Sequence, residues 1–146
     1  TFGSGREEWP VWTPSGDAVI YHIRPEGPGG IAGIDSMRIL RVPADGTGQP
    51  DTLAVGFIPA VSPDGRYVTF SRLYEPGGWT GADVAFQSLT EDRPEVTRLV
   101  RADGLQMDAR IAPGCEYVAY VSDESGRQEI YLTRFPSGDG RWQVSI

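Results

Sequence analysis

The sequence has no lysine and no asparagine, and in 146 residues it has one cysteine, one histidine and two methionines. Without asparagine there is no N-glycosylation sequon. A lone Cys115 can neither close an internal disulfide nor supply a multi-thiolate zinc site, which leaves the redox compartment open. With His22 as the only imidazole and no Gly-x-Ser-x-Gly elbow, the chain offers a poor basis for acyl transfer by a Ser/His/Asp set. Apolar runs are only a few residues long, far below the roughly 20 needed to cross a bilayer as a helix, and no leader with a charged head and apolar middle is visible. These absences predict a soluble chain, already trimmed of any leader, with no membrane insertion. All 13 basic residues are arginine, a bias that reads as a GC-rich coding source rather than a functional signal. Twenty acidic residues leave a net charge of -7 without any basic block, which argues against nucleic acid or an anionic membrane as a general partner.

What the chain does have is glycine and proline, 19 and 12 residues, evenly scattered. Together with 39% hydrophobic residues, this composition suits one domain of many short strands joined by turns. The fold class expected is all-β.

A repeat gives that expectation its form. Pro10 to Tyr21 (PVWTPSGDAVIY), Pro59 to Phe70 (PAVSPDGRYVTF) and Ala109 to Tyr120 (ARIAPGCEYVAY) align in register. Their anchor prolines, Pro14, Pro63 and Pro113, are each followed five residues later by Val and seven later by an aromatic. Proline fixes φ for a turn and Ser-Gly or Asp-Gly supplies the positive φ that reverses the chain. After each turn Val19/Tyr21/Ile23, Val68/Phe70 and Val118/Tyr120 alternate with a period of two, as in a strand. Met37/Ile39, Val84/Phe86 and Ile130/Leu132 open a third strand, while 52–55, 96–100 and 142–146 read as a fourth. Residues 92–102 would also suit a short helix, with Pro94 behind Asp92 and Val96, Leu99 and Val100 at helical spacing, but the repeat register favours strand. The third copy puts Gly114-Cys115-Glu116 where the second has Asp-Gly-Arg, so a turn of different type is expected there.

Val-Ser-Pro-Asp-Gly-Arg-Tyr-Val-Thr-Phe-Ser, Trp-Thr-Pro-Ser-Gly and Tyr-Val-Ala-Tyr-Val-Ser-Asp-Glu-Ser-Gly-Arg-Gln-Glu-Ile-Tyr-Leu resemble the TolB-like (PD40) β-propeller repeat over nearly the whole chain. The stretch from Val121-Ser122-Asp123-Glu124-Ser125-Gly126 through Trp142-Gln143-Val144-Ser145 is also similar to repeats in the extracytoplasmic propellers of some bacterial Ser/Thr kinases. The resemblance implies four-stranded antiparallel blades around an axis, at about 6–56, 57–106 and 107–146, with inner strands at 8–13, 57–62 and 108–112. It also favours a periplasmic or extracytoplasmic location. Three blades are half of a six-bladed ring, to be completed by a homodimer or by further chain, because an open arc would expose two apolar faces.

The function expected is a non-enzymatic binding or scaffold module that self-associates and takes a protein, peptide or small polar ligand. The alternatives are a regulatory segment of a larger enzyme, such as a membrane Ser/Thr kinase or serine peptidase, and an excised fragment whose only activity is assembly. No cofactor or metal is expected. Gly27 to Ala32 (GPGGIA) matches Gly-x-Gly-x-x-Ala, but the strand at 37–42 follows it rather than the helix that would hold a pyrophosphate. Asp123 with Glu124, and Asp45 with Asp51, lack calcium-loop spacing and read as solvated turn carboxylates. By the family's pattern, Arg24, Arg72, Tyr74, Trp79 and Asp123 gather on one rim, as aromatic and arginine anchors on variable loops. Trp9, Trp12 and Trp142 are expected to be core or blade-packing residues, and Trp79 to stand apart in its Gly-rich loop.

Overall fold

The computed structural model describes residues 5–27, 30–31, 33, 36–74 and 81–145, which hold β-strands and turns and no α-helix. The first sheet holds β1 (Gly5–Trp12), β2 (Ala18–Gly27), β4 (Arg38–Pro43) and β5 (Asp51–Val55) in that spatial order, with the short β3 (Gly30–Ile31) beside β2. The second runs β6 (Phe57–Val61), β7 (Tyr67–Leu73), β8 (Ala82–Ser88) and β9 (Thr97–Arg98), and the third β10 (Gln106–Ile111), β11 (Tyr117–Ser122), β12 (Glu129–Arg134) and β13 (Trp142–Gln143). Every pairing is antiparallel between neighbours in sequence, apart from β2 with β4, which passes over β3. These are three successive four-stranded blades.

The anchor turns are built alike. Gly16, Gly65 and Cys115 each donate a backbone hydrogen bond to the carbonyl three residues back, at 2.9 Å. Gly16 and Gly65 both have φ of +73°, and Cys115 stands at +56°. The expectation of a different turn in the third copy is therefore corrected. The hairpin geometry prevails over the missing glycine, and Cys115 is held in the left-handed region at a cost of about 1–2 kcal/mol.

A second threefold feature was not anticipated. Trp9, Ile58 and Asp108, spaced like the prolines, have φ of 57°, 53° and 55°. Each sits where the inner strand slips register, between Glu8 and Val11, Phe57 and Ala60, and Met107 and Arg110. The bulge bends each inner strand at the same level.

The core lies between blades. Ile20, Ile39 and Ala54 of the first sheet meet Val68, Phe70 and Ala85 of the second. Val84, Phe86, Leu99 and Val100 then meet Ala109, Val118, Tyr120, Tyr131 and Phe135 of the third. Phe86 and Phe135 touch edge to face at 4.9 Å between centroids, and Thr69 Oγ1 donates to the Ala109 carbonyl at 3.2 Å across the same boundary.

Three further expectations need correction. Residues 92–102 form no helix, and the fourth strand there shrinks from 96–100 to Thr97–Arg98, because the Leu99 and Val100 amides both turn to the Val84 carbonyl. The last strand keeps only Trp142–Gln143 of the expected 142–146, with Ile146 outside the described residues. Trp9, Trp12 and Trp142 are 49%, 63% and 43% exposed, so none is core, and of the three only Trp142 is seen, among the described residues, against another ring of its blade. Trp9 is turned out at its bulge, Trp12 ends β1, and Trp142 lies on the outermost strand against the edge of Tyr117.

Candidate rim cleft and open blade faces

Tyr74 and Gly81, between the second and third strands of blade two, lie beside the link that joins blades two and three and beside Glu124 of blade three. There a cleft of about 770 Å³ opens between the second and third sheets, walled by Tyr74, Asp83, Arg98, Arg101, Glu124 and Arg141 among others. Asp83, at the start of β8, is almost fully buried and pairs with Arg98 of β9. Burial pushes its carboxyl above the ordinary value, and Arg98 works against that shift. Arg98 also lies over the Tyr74 ring, 4.3 Å from the centroid, and Arg72 approaches the same ring at 5.4 Å. Burial likewise raises the Tyr74 phenol. Across the cleft, Arg141 Nη1 contacts Glu124 Oε2 at 2.8 Å.

Of the five rim residues read from the sequence, Tyr74 lines this cleft and Arg72 backs its ring. Asp123 acts from behind, its Oδ1 accepting the Leu105 amide at 2.7 Å. Arg24 belongs to the first sheet, paired opposite Arg6, and does not line the cleft. Trp79 lies outside the described residues. Asp83, Arg98, Arg101 and Arg141 escaped sequence reasoning, and Glu124 was read there only as a solvated turn carboxylate. The available signal was Arg98-Leu99-Val100-Arg101-Ala102-Asp103-Gly104, a charged stretch where the preceding blade passes to the next through glycine alone.

His22 is an inter-blade residue. Deeply buried on β2, it accepts the Ile58 amide at Nδ1 (3.4 Å) and faces Glu8 Oε2 with Nε2 (3.4 Å). The imidazole thus holds the bulged residue of the next blade. Burial holds its pKa below the ordinary 6.5, with the Glu8 carboxylate opposing and Arg24 assisting. The aligned position in the second blade, Ser71, is also buried, and its hydroxyl has no hydrogen-bond partner.

No group of three or more His, Cys, Asp or Glu side chains gathers among the described residues. Asp45 accepts the Thr47 amide at 3.0 Å, and Asp51 pairs with Arg41 at 3.5 Å. In the glycine-rich segment Gly27 pairs with Gly30 to close β2 onto β3, while Pro28, Gly29 and Ala32 lie outside the described residues.

The outer faces of the end blades repeat the chemistry of the inner ones. Val68 and Phe70 face the preceding blade and are fully buried, as are Val118 and Tyr120. On the same face of the first sheet Tyr21, aligned with Phe70, is buried, while Val19, Ile23, Leu40 and Val42 around it are only half-buried. At the other end Ala119, Val121 and Leu132 are half-buried and Ile130 is 39% exposed, where the aligned Thr69, Ser71, Val84 and Phe86 are covered by the third blade.

Neither a family model nor a curated protein matches the sequence. Solved structures do match. TolB from Acinetobacter baumannii superposes with a TM-score of 0.74 at 20% identity, over 97% of this chain and 33% of that one. A puromycin-hydrolysing peptidase of Mycobacterium tuberculosis gives 0.72 at 20% identity, over 98% of this chain and 24% of the peptidase. The β-propeller domain of the Trilobed protease from Pyrococcus furiosus, described as having an open velcro topology, gives 0.68 at 12% identity, over 96% and 43%. The chain thus spans about a quarter to under a half of the length of these three. With its three sequential antiparallel blades and its match to these structures, the chain has the TolB-like β-propeller fold.

Proposed function

We propose that this chain is a non-enzymatic propeller module that binds a second copy of itself, blade three of each copy packing on blade one of the other, to close a six-bladed ring with a recognition rim. The supporting observation is the pair of half-buried terminal faces. Val19, Ile23, Leu40 and Val42 occupy positions that face a preceding blade, and Ala119, Val121, Ile130 and Leu132 occupy positions that face a following one. A blade boundary of the kind made twice within the chain would join them, and a twofold pair makes that boundary twice and leaves no open end. The rim cleft between blades two and three would be the recognition surface of such a ring.

Light scattering of the parent and of Ile130→Arg tests this reading. The parent should weigh two chains, about 32 kDa against 15.9 kDa for one. The variant should weigh one, with unchanged circular dichroism, because an arginine in the middle of an apolar boundary is buried without a partner. A parent of one chain, or a pair that survives the substitution, would overturn it. The alternative, that the remaining blades belong to a longer chain such as a regulatory propeller of an enzyme, draws support from the 24–43% coverage of the matched structures. On that reading the isolated chain stays single.

A further inference from the structure

The two passages between blades differ in length. Gly56 alone separates β5 from β6, whereas Leu99, Val100, Arg101, Ala102, Asp103, Gly104 and Leu105 separate β9 from β10. The longer link is fixed in place. Leu105 donates its amide to Asp123, the backbone of Ala102 hydrogen-bonds the Asp83 carboxylate, and Gly104 has φ of +86°, where a Cβ would collide with the Asp123 carboxylate. This link carries Arg101 into the wall of the 770 Å³ cleft and of an adjoining cavity of about 330 Å³, and Arg141 lines both as well.

Three buried donor groups there lack a hydrogen-bond partner, against one acceptor, Glu124 Oε2, which has the Arg141 guanidinium 2.8 Å away. Tyr120, 1% exposed, lines the smaller cavity, and its hydroxyl has no partner. Tyr74 Oη and Arg98 Nε are also buried without one. No carboxylate among the described residues forms an ion pair with Arg101, whereas Arg98 and Arg141 are paired with Asp83 and Glu124. Unsatisfied buried donors call for an acceptor. Among the described residues Arg98, Arg101 and Arg141 line the cleft together with Asp83, Asp103 and Glu124.

We propose that the cleft and the adjoining cavity together bind a carboxylate at Arg101 and Arg141, which line both, Arg141 keeping Glu124 on Nη1, with the Tyr120 hydroxyl of the smaller cavity as a further donor. The volume suits a small organic acid or the free C-terminus of a peptide. Every residue invoked belongs to blades two and three, so the site stands whether or not a second copy closes the ring.

Calorimetric titration of the full chain with benzoate, with tetra-alanine, with C-terminally amidated tetra-alanine and with inorganic phosphate tests the assignment. Saturable binding of benzoate or tetra-alanine, and none of the amide, supports it. Benzoate alone would mark a small acid as the source, and tetra-alanine alone a peptide terminus. Arg101→Gln, at an exposed position, should keep the fold and weaken binding about tenfold or more, while Arg66→Gln, in the Pro63 anchor turn, should leave it unchanged. Tyr120→Phe should weaken binding severalfold without loss of stability. No saturable binding of either carboxylate, phosphate bound as tightly as carboxylate, equal binding of the amide, or indifference to Arg101→Gln would each overturn the proposal.

Discussion

At the scale of single residues, burial decides the roles of the aromatic and titratable groups. Phe70 and Tyr120 are enclosed between blades, and truncating either to Ala should cost about 3–5 kcal/mol in urea unfolding. A cost below about 1 kcal/mol would contradict their placement. For Tyr120 burial also pushes the phenol up to about 12, so it stays protonated and able to donate. His22 gives a pH dependence whose sign is fixed. Its folded pKa lies below 6.5, so between the two values the unfolded chain binds more protons than the folded one. Its contribution is present above the unfolded value and is lost as pH falls from about 7 toward the depressed folded value. Protonation at Nδ1 would also set a donor against the Ile58 amide. Stability should therefore fall between pH 7.5 and 5.5 in the parent and hold nearly level in His22→Gln. Equal slopes in the two proteins would count against the latch. The exposed carboxylates Asp17, Asp45 and Asp64, all lowered by hydrogen bonds, act only at more acid pH.

At the scale of elements, the hairpin turns show what the sequence could and could not tell. Pro14, Pro63 and Pro113 mark three equal turns, and the alternation of Val68 with Phe70 and of Val118 with Tyr120 marks the strands that follow. Period and turn chemistry are local, so they are legible in one chain. Cys115 misled because residue type was weighed above position, whereas the neighbouring strands impose the left-handed conformation on whatever stands there. Cys115→Gly should consequently stabilise the chain by about 0.5–1 kcal/mol, relief of strain being partly offset by the greater freedom of an unfolded glycine. A destabilised variant would contradict the strain. The cleft was illegible for a related reason. β9 keeps two residues of the five in β5, so the long link is absorbed within a repeat of nearly constant length and leaves the 49- and 50-residue spacing intact. Arg98, Arg101 and Arg141 converge only after blades two and three are packed. The bulges at Trp9, Ile58 and Asp108 carry no glycine, so nothing in residue type announced them.

At the scale of the molecule, three blades leave two apolar faces half-covered, and the same chain presents both sides of one boundary. Each copy carries a net charge of -7, so two copies repel at long range, and in the proposed pair the apolar faces must overcome that repulsion at contact. Association should tighten as ionic strength rises to 0.15 M, where the screening length is about 8 Å, and sedimentation at two salt concentrations would measure it. Loss of association on adding salt would mean that ion pairs, not apolar faces, hold the copies together. The most direct test is small-angle X-ray scattering of the unmodified chain across a range of concentrations. The account predicts a disc of two chains with a central depression, whose size does not grow further. A single-chain arc at all concentrations, or a particle that lengthens steadily as the chain is concentrated, would contradict it.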